Sequence, residues 1–145
     1  MPNYGDPKYW EERYKNSKDS FDWLEDYESL KPIILNLNLS KDSKILNLGC
    51  GNSPFCEDMY EDGYHNINNI DISNNAIEIM KNRNLKFKDS SIDLAVDKST
   101  IDALLCGNSS YLNVAKMLKE VQRVLKGKFI LFYYSWWYLY GNFIW

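Results

Sequence analysis

Two features of the chain lie at a distance that makes chemical sense. The apolar run Lys44-Ile45-Leu46-Asn47-Leu48 ends in the turn Gly49-Cys50-Gly51, and an acid, Asp71, follows 20 residues after Gly51. Asp71 itself closes a second strand-like stretch, Asn66 to Asp71. In doubly wound sheets, ligands sit beyond the carboxyl ends of the strands. Glycines there let backbone approach a ligand with no Cβ in the way, and a carboxylate at a strand end can accept both hydroxyls of a ribose. A glycine pair alone is a tight turn; the acid at this spacing points to an adenosine-type ligand. Removing Asp71 is expected to weaken that ligand's binding and to leave the melting temperature of the empty fold nearly unchanged.

The type of adenosine ligand follows from what the turn lacks. A dinucleotide fingerprint wants a third glycine, and here that place is held by Pro54. A phosphate-cradling loop wants Gly-Lys-Ser/Thr, and neither Lys nor Thr follows the glycines. A ligand without phosphates fits better, and S-adenosylmethionine is the commonest. Cys50 sits inside the turn with no histidine nearby in the sequence, so it reads as a small buried filler and not a nucleophile.

The elements that position these residues alternate. Residues 7–16 read as a short helix carrying Tyr9, Trp10 and Tyr14. Phe21, Leu24, Tyr27, Leu30, Ile33/Ile34 and Leu37 then recur at helical spacing, with Pro32 expected to kink or break the helix. After the first strand, Asn52 or Ser53 is expected to cap a helix that Gly63 stops. Ser73 should cap another helix, to about Asn82. Ile92–Asp97 reads as a strand, Val114–Leu125 as an amphipathic helix, and Lys128–Phe132 as the start of a last central strand. Strands alternating with helices predict a mostly parallel sheet covered on both faces.

Composition removes several alternatives. At 145 residues the chain is expected to form one domain. Its 17 Lys and Arg against 20 Asp and Glu, net −3, leave no basic excess for neutralising phosphates, which argues against nucleic acid as the main partner. No apolar run approaches the roughly 20 residues needed to span a bilayer, and the N-terminus lacks a secretory pattern. Cys50, Cys56 and Cys106 are odd in number with no CxxC pair, and His65 is the only histidine. Neither a disulfide framework nor a bound metal is expected, and a reducing, cytoplasmic setting is.

Further motifs make the reading more specific. Tyr9-Trp10-Glu11-Glu12-Arg13-Tyr14, Phe21-Asp22-Trp23-Leu24, LNLGCGNS (46–53), MYEDGYHNINNIDIS (59–73), VDKSTIDALL (96–105) and LKEVQRVLK (118–126) follow one another in order. Together they resemble the small methyltransferase family that includes lysine methyltransferases acting on elongation factor 1-alpha, over nearly all of residues 8–130. The resemblance implies an α/β fold: a Rossmann-like class I methyltransferase sheet with helices on both faces. It further implies an N-terminal helical lid (1–40) over the core (41–145). It implies S-adenosylmethionine as cofactor, S-adenosylhomocysteine as product, and a protein substrate.

Carried over residue by residue, the resemblance puts cofactor contacts at Trp10, Tyr14, Trp23, Gly49, Asp71 and Lys98. The neighbouring Cys50, Gly51, Asn52 and Ile72 complete the candidate set. Trp10, Tyr14 and Trp23 could form an aromatic lid near the sulfonium; their other role would be simple packing. Asp97 and Asp102 are candidates to receive the proton of an acceptor lysine, though Asp102 could equally be an acid in the first turn of a helix. Ser99-Thr100 stands where the family pattern has Gly-Thr, so Ser99 inherits a backbone angle suited to glycine.

The chain departs from the pattern in two places. A third strand, whose end would face adenine, is expected between Asn84 and Ile92, where too few residues remain. The part beyond Phe129-Ile130-Leu131 is likewise too short for two more strands and their helix. Segments are therefore expected to be missing after Asn84 and near the C-terminus. That departure keeps two alternatives open: a catalytically impaired cofactor-binding pseudoenzyme and a small-molecule methyltransferase. A nucleic-acid amino-methylating enzyme is disfavoured, because no Asn/Asp-Pro-Pro-aromatic motif occurs and Pro54 is the last proline.

Overall fold

The computed structural model describes residues 2–17, 19–74, 87–132 and 143–144. The run Ile45–Leu48 is buried along its whole length and forms β1, the centre of the site-bearing edge. A strand covered on both faces is mostly apolar and not alternating; its one polar residue, Asn47, is buried and donates to Asn69 Oδ1 at 3.2 Å and Cys56 Sγ at 3.1 Å. It pairs in parallel with β2 (Ile67–Ile70) on one side and with β3 (Ile92–Lys98) on the other. β4 (Leu125–Phe132) extends the sheet in parallel beside β3, and β5 (Phe143–Ile144) closes it antiparallel. The order is β2-β1-β3-β4-β5. The chain thus leaves β1 towards β2 and returns to β3 on the opposite side, which is the switch point where ligands of such sheets bind. Register brings Leu48 level with Ile70 and with Asp97, so the exits of all three strands share one rim.

Helices cover both faces. On one, α2 (Tyr27–Asn36) and α3 (Phe55–Glu61) bury Tyr27, Leu30, Ile34, Phe55 and Met59 against Ile45, Leu94, Val96 and Ile130. On the other, Val121 and Val124 of the long helix α5 (Ser110–Val124) pack on Leu46, Leu48 and Ala95. A short helix, α4 (Thr100–Leu105), leaves β3, and α1 (Pro7–Asn16) lies over the rim. The parallel α/β architecture expected from the alternation of elements is present.

Several boundaries differ from the expectation, each for a physical reason. α2 passes through Pro32 unbroken. An interior proline costs a helix about 3 kcal/mol, but Tyr27, Leu30 and Ile34 are each almost completely buried. Three such side chains contribute about 1.5–3 kcal/mol apiece, which outweighs the loss. Phe21 and Leu24 do not extend that helix, because Asp26 caps it by accepting from the Ser29 N–H at 2.9 Å and Leu24 holds φ +68. Pro54 takes the N-cap position of α3, although Ser53 Oγ still accepts from the Phe55 N–H at 3.2 Å. α5 begins at Ser110, earlier than the apolar periodicity suggested, and leaves Tyr111 and Leu112 exposed. The helix expected after Ser73 and the passage at Asn84 lie outside the described residues, as does the stretch after Phe132 up to β5. Among the described residues β2 and β5 are the edge strands.

Candidate cofactor and methyl-transfer site

The turn after β1 takes the conformation its glycines permit. Gly49 and Gly51 hold φ +60 and +52, the left-handed region that side chains avoid. The space each glycine leaves is filled by this chain's own side chains. A Cβ on Gly49 would lie 2.1 Å from Thr100 Oγ1, which donates to the Leu48 carbonyl at 2.8 Å. A Cβ on Gly51 would lie 2.5 Å from the Tyr14 hydroxyl. The sequence argument had these glycines making room for a ligand; they also seat α1 and α4. Gly49→Ala should therefore lose about 2–4 kcal/mol in denaturant unfolding, from positive φ and overpacking together. Thr100→Ala in the same chain should restore only the overpacking part, and full recovery would contradict the strained φ.

Asp71 closes the β2 exit. Its Oδ2 accepts from the Gly51 N–H at 2.9 Å and its Oδ1 from the Ser73 N–H at 2.8 Å. Burial raises its pKa against the opposing pull of the Ser73, Gly51 and Ile72 N–H groups. The carboxylate thus ties the two strand exits together. Ile72 beside it is 60 % exposed, an apolar side chain presented at the rim. Cys50 is buried and its thiol is pushed up by that burial, which agrees with a filler and not a nucleophile.

The aromatic residues of the N-terminal segment converge. Trp10 stacks on Tyr14 with ring centroids 5.8 Å apart, meets Trp23 edge-on at 5.9 Å, and donates its indole N–H to the Tyr4 carbonyl at 2.6 Å. The Arg13 guanidinium lies 5.4 Å from the Trp23 ring and 5.5 Å from Phe21. Tyr14 is buried, and Glu11 accepts from the Ser73 hydroxyl at 2.6 Å, so α1 is fastened to both strand exits. Of the two roles left open by the sequence, packing is the one these contacts show. One cluster packs on itself and sits on the glycine turn.

Lys98, at the end of β3, is 9 % exposed. Its ammonium pairs with Asp22, donates to the Glu25 carbonyl at 3.0 Å and to Ser53 Oγ at 3.3 Å, and lies 5.2 Å from the Phe55 ring centroid. Ser53 Oγ donates to the same Asp22 carboxylate, and the Asn52 amide donates to the Asp19 carbonyl. Asp22 and Ser53 were missed by reading the sequence for chemistry. The signal available was the acid inside Phe21-Asp22-Trp23-Leu24, but nothing in its spacing names a partner 76 residues on.

Asp97 is fully buried on β3. Its Oδ1 accepts from the Thr100 N–H at 3.0 Å and the Ile101 N–H at 3.4 Å, so it caps α4. Its Oδ2 is buried without a hydrogen-bond partner, and burial pushes the carboxyl up to about 7, with the Asp102 charge adding to the rise. Asp102 stands half-buried in the first turn of α4. Ser99 holds φ +69, the angle anticipated for a residue in a glycine's place, and its hydroxyl is also buried without a partner. Through Thr100 this group adjoins Gly49. The structure therefore gathers Trp10, Tyr14, Trp23, Gly49, Cys50, Gly51, Asn52, Asp71 and Lys98 at one rim, with Asp97 at the end of β3 and Asp102 in the first turn of α4 beside it.

The donor set suits S-adenosylmethionine. It combines a strand-end carboxylate for a ribose, backbone at positive φ, and aromatic faces for a sulfonium.

Known proteins agree with this geometry. A family model described as a methyltransferase domain matches residues 39–138. The mouse (Mus musculus) "eEF1A lysine and N-terminal methyltransferase" is 34% identical over 142 residues, covering 85% of this chain and 20% of that protein. The mouse "EEF1A lysine methyltransferase 4" is 31% identical over 154 residues, covering 88% and 60%. The chain thus spans from a fifth to three fifths of the length of these curated relatives. In fold it is similar to a SAM-dependent methyltransferase of Thiobacillus denitrificans solved with S-adenosyl-L-homocysteine. That match has a TM-score of 0.51 and 17% identity, and covers 72% of this chain and 47% of that one. The chain belongs to the methyltransferase-domain family, in its Rossmann-like, S-adenosylmethionine-dependent class I.

Proposed function

We propose that this single domain transfers a methyl group from S-adenosylmethionine to the ε-amino group of a protein lysine, with elongation factor 1-alpha as the substrate to test first. The observation carrying the cofactor half is the joining of Asp71, Gly51 and Tyr14 at one rim. The substrate half rests on the names of relatives 31–34% identical to this chain. The three unpaired cysteines suit a cytoplasmic setting.

The cofactor supplies a methyl group on a sulfonium, open to in-line displacement by an amine. The chain's own task is to bind and align. Asp71 accepts the ribose hydroxyls. The glycine turn brings backbone to the ligand, and Trp10, Tyr14 and Trp23 keep water from it. An acceptor lysine must first lose a proton, which a dry aromatic site favours by lowering the amine's pKa. Asp97 and Asp102 are the candidate carboxylates for that proton, and the raised pKa of Asp97 suits transfer near neutral pH.

The test is incubation of purified chain with methyl-labelled S-adenosylmethionine and purified elongation factor 1-alpha, followed by peptide mapping. Label on a lysine is the expected result. Calorimetric cofactor binding with no label in the factor would remove this substrate and leave the cofactor assignment standing.

A further inference from the structure

We propose that Asp22 is a positioning residue that latches the aromatic lid, and that Lys98 is the lid's buried anchor and not a direct ligand of the cofactor. The inference deepens the reading just given and assigns Lys98 a role different from the one that resemblance implied.

The geometry begins with a cation almost removed from water. The side chains of Lys98 and Asp22 are 7% and 16% exposed. An ammonium in such a place requires a counter-ion and filled donor positions. Lys98 has three donors, and they are matched by the Asp22 carboxylate, the Glu25 carbonyl and the Ser53 hydroxyl. Two of those acceptors belong to the loop joining α1 to α2. The third, Ser53, lies two residues beyond Gly51 and donates onward to Asp22. Asn52 grips the same loop by donating to the Asp19 carbonyl.

These bonds leave Lys98 without a spare donor for a ligand. They also fix both ends of residues 19–25, the loop that carries Trp23. Trp23 packs on Trp10, which stacks on Tyr14, which fills the space at Gly51. A continuous chain of contacts therefore runs from the β3 exit through the loop and the aromatic cluster back to the glycine turn. A buried ion pair contributes little net stability compared with apolar packing, but it defines one arrangement sharply. Here the arrangement so defined is the closed lid.

The test compares Asp22→Asn, Lys98→Met and the double variant, which strands no charge, by amide hydrogen exchange on the protein without cofactor and by calorimetry with S-adenosylmethionine. Melting temperatures are recorded alongside. A latch predicts that exchange across residues 19–25 accelerates about tenfold in both single variants while the β1 and β3 amides stay protected. It also predicts that cofactor affinity falls about tenfold in each, with the double variant no weaker than either. If a single variant fails to fold, the double variant carries both readouts. Unchanged exchange across the loop would overturn the latch. So would affinity lost in Lys98→Met but kept in Asp22→Asn, because that pattern marks Lys98 as a direct ligand. Should the unaltered chain fail to bind S-adenosylmethionine, the cofactor reading falls, and the exchange measurement still decides the latch.

Discussion

Replacing Asp71 with alanine should lower affinity for S-adenosylmethionine about 10- to 150-fold in calorimetry. Charge-assisted hydrogen bonds to a diol are worth roughly 1.5–3 kcal/mol, and each 1.4 kcal/mol is about a factor of ten. Sequence reasoning further expected the empty protein's stability to be untouched. The structure changes that part of the prediction. Asp71 also accepts from the Gly51 and Ser73 N–H groups, so alanine strands both donors. Each buried donor left without an acceptor costs about 1–3 kcal/mol. Asp71→Asn separates the two effects, since its amide oxygen can keep one of those N–H groups while the charge is lost. It should lose most of the cofactor affinity and less of the stability. Affinity unchanged in both variants would remove Asp71 from the ribose site.

The second large effect concerns Asp97 and pH. Its carboxyl is raised by burial to about 7, against the pull of the Ile101 and Thr100 N–H groups. The unfolded chain releases that proton near pH 4. Between about pH 4 and pH 7 the native state binds a proton that the unfolded state does not, so stability falls as pH rises through this window. Below it the native fold keeps the full advantage; above it the carboxylate is charged, buried and half unpartnered. A shift of about three units corresponds to at most about 4 kcal/mol. Asp97→Asn keeps an oxygen acceptor for the start of α4 and cannot ionise. The variant should match the parent at pH 4 and melt several degrees higher at pH 8. Cofactor affinity should persist, and methyl transfer to lysine should drop if Asp97 takes the proton. Melting curves that run parallel from pH 4 to pH 8 would contradict a buried neutral Asp97.

Ser99 shows where local and tertiary demands conflict. A serine at φ +69 carries the left-handed penalty of about 1–2 kcal/mol that glycine avoids. It is retained between Asp97 and Thr100, both of which are fixed by contacts to neighbouring elements.

By itself the sequence determined the alternation of strands and helices, the glycine turn, and the strand-end acid at its interval. These rest on short-range chemistry: apolar periodicity, conformations open only to glycine, and residues placed at the ends of their own strands. It also carried the aromatic segment as a candidate lid, because its two motifs head an ordered series that four further motifs complete. Asp97 was legible as a functional position but not as the cap of α4, although its acceptor lies only three residues before Thr100. Its apolar surroundings read as strand, and a cap is defined by where the next helix starts. Only the tertiary structure decided that Tyr14 and Thr100 occupy the space at Gly51 and Gly49, that Pro32 is carried inside a helix by three buried side chains, and that Lys98 answers to Asp22. Each of these depends on groups far apart in the chain meeting at one rim. The physical reason is that burial of a charge, or of a hydroxyl against a glycine, depends on what the opposite face supplies, and no spacing along the chain records that.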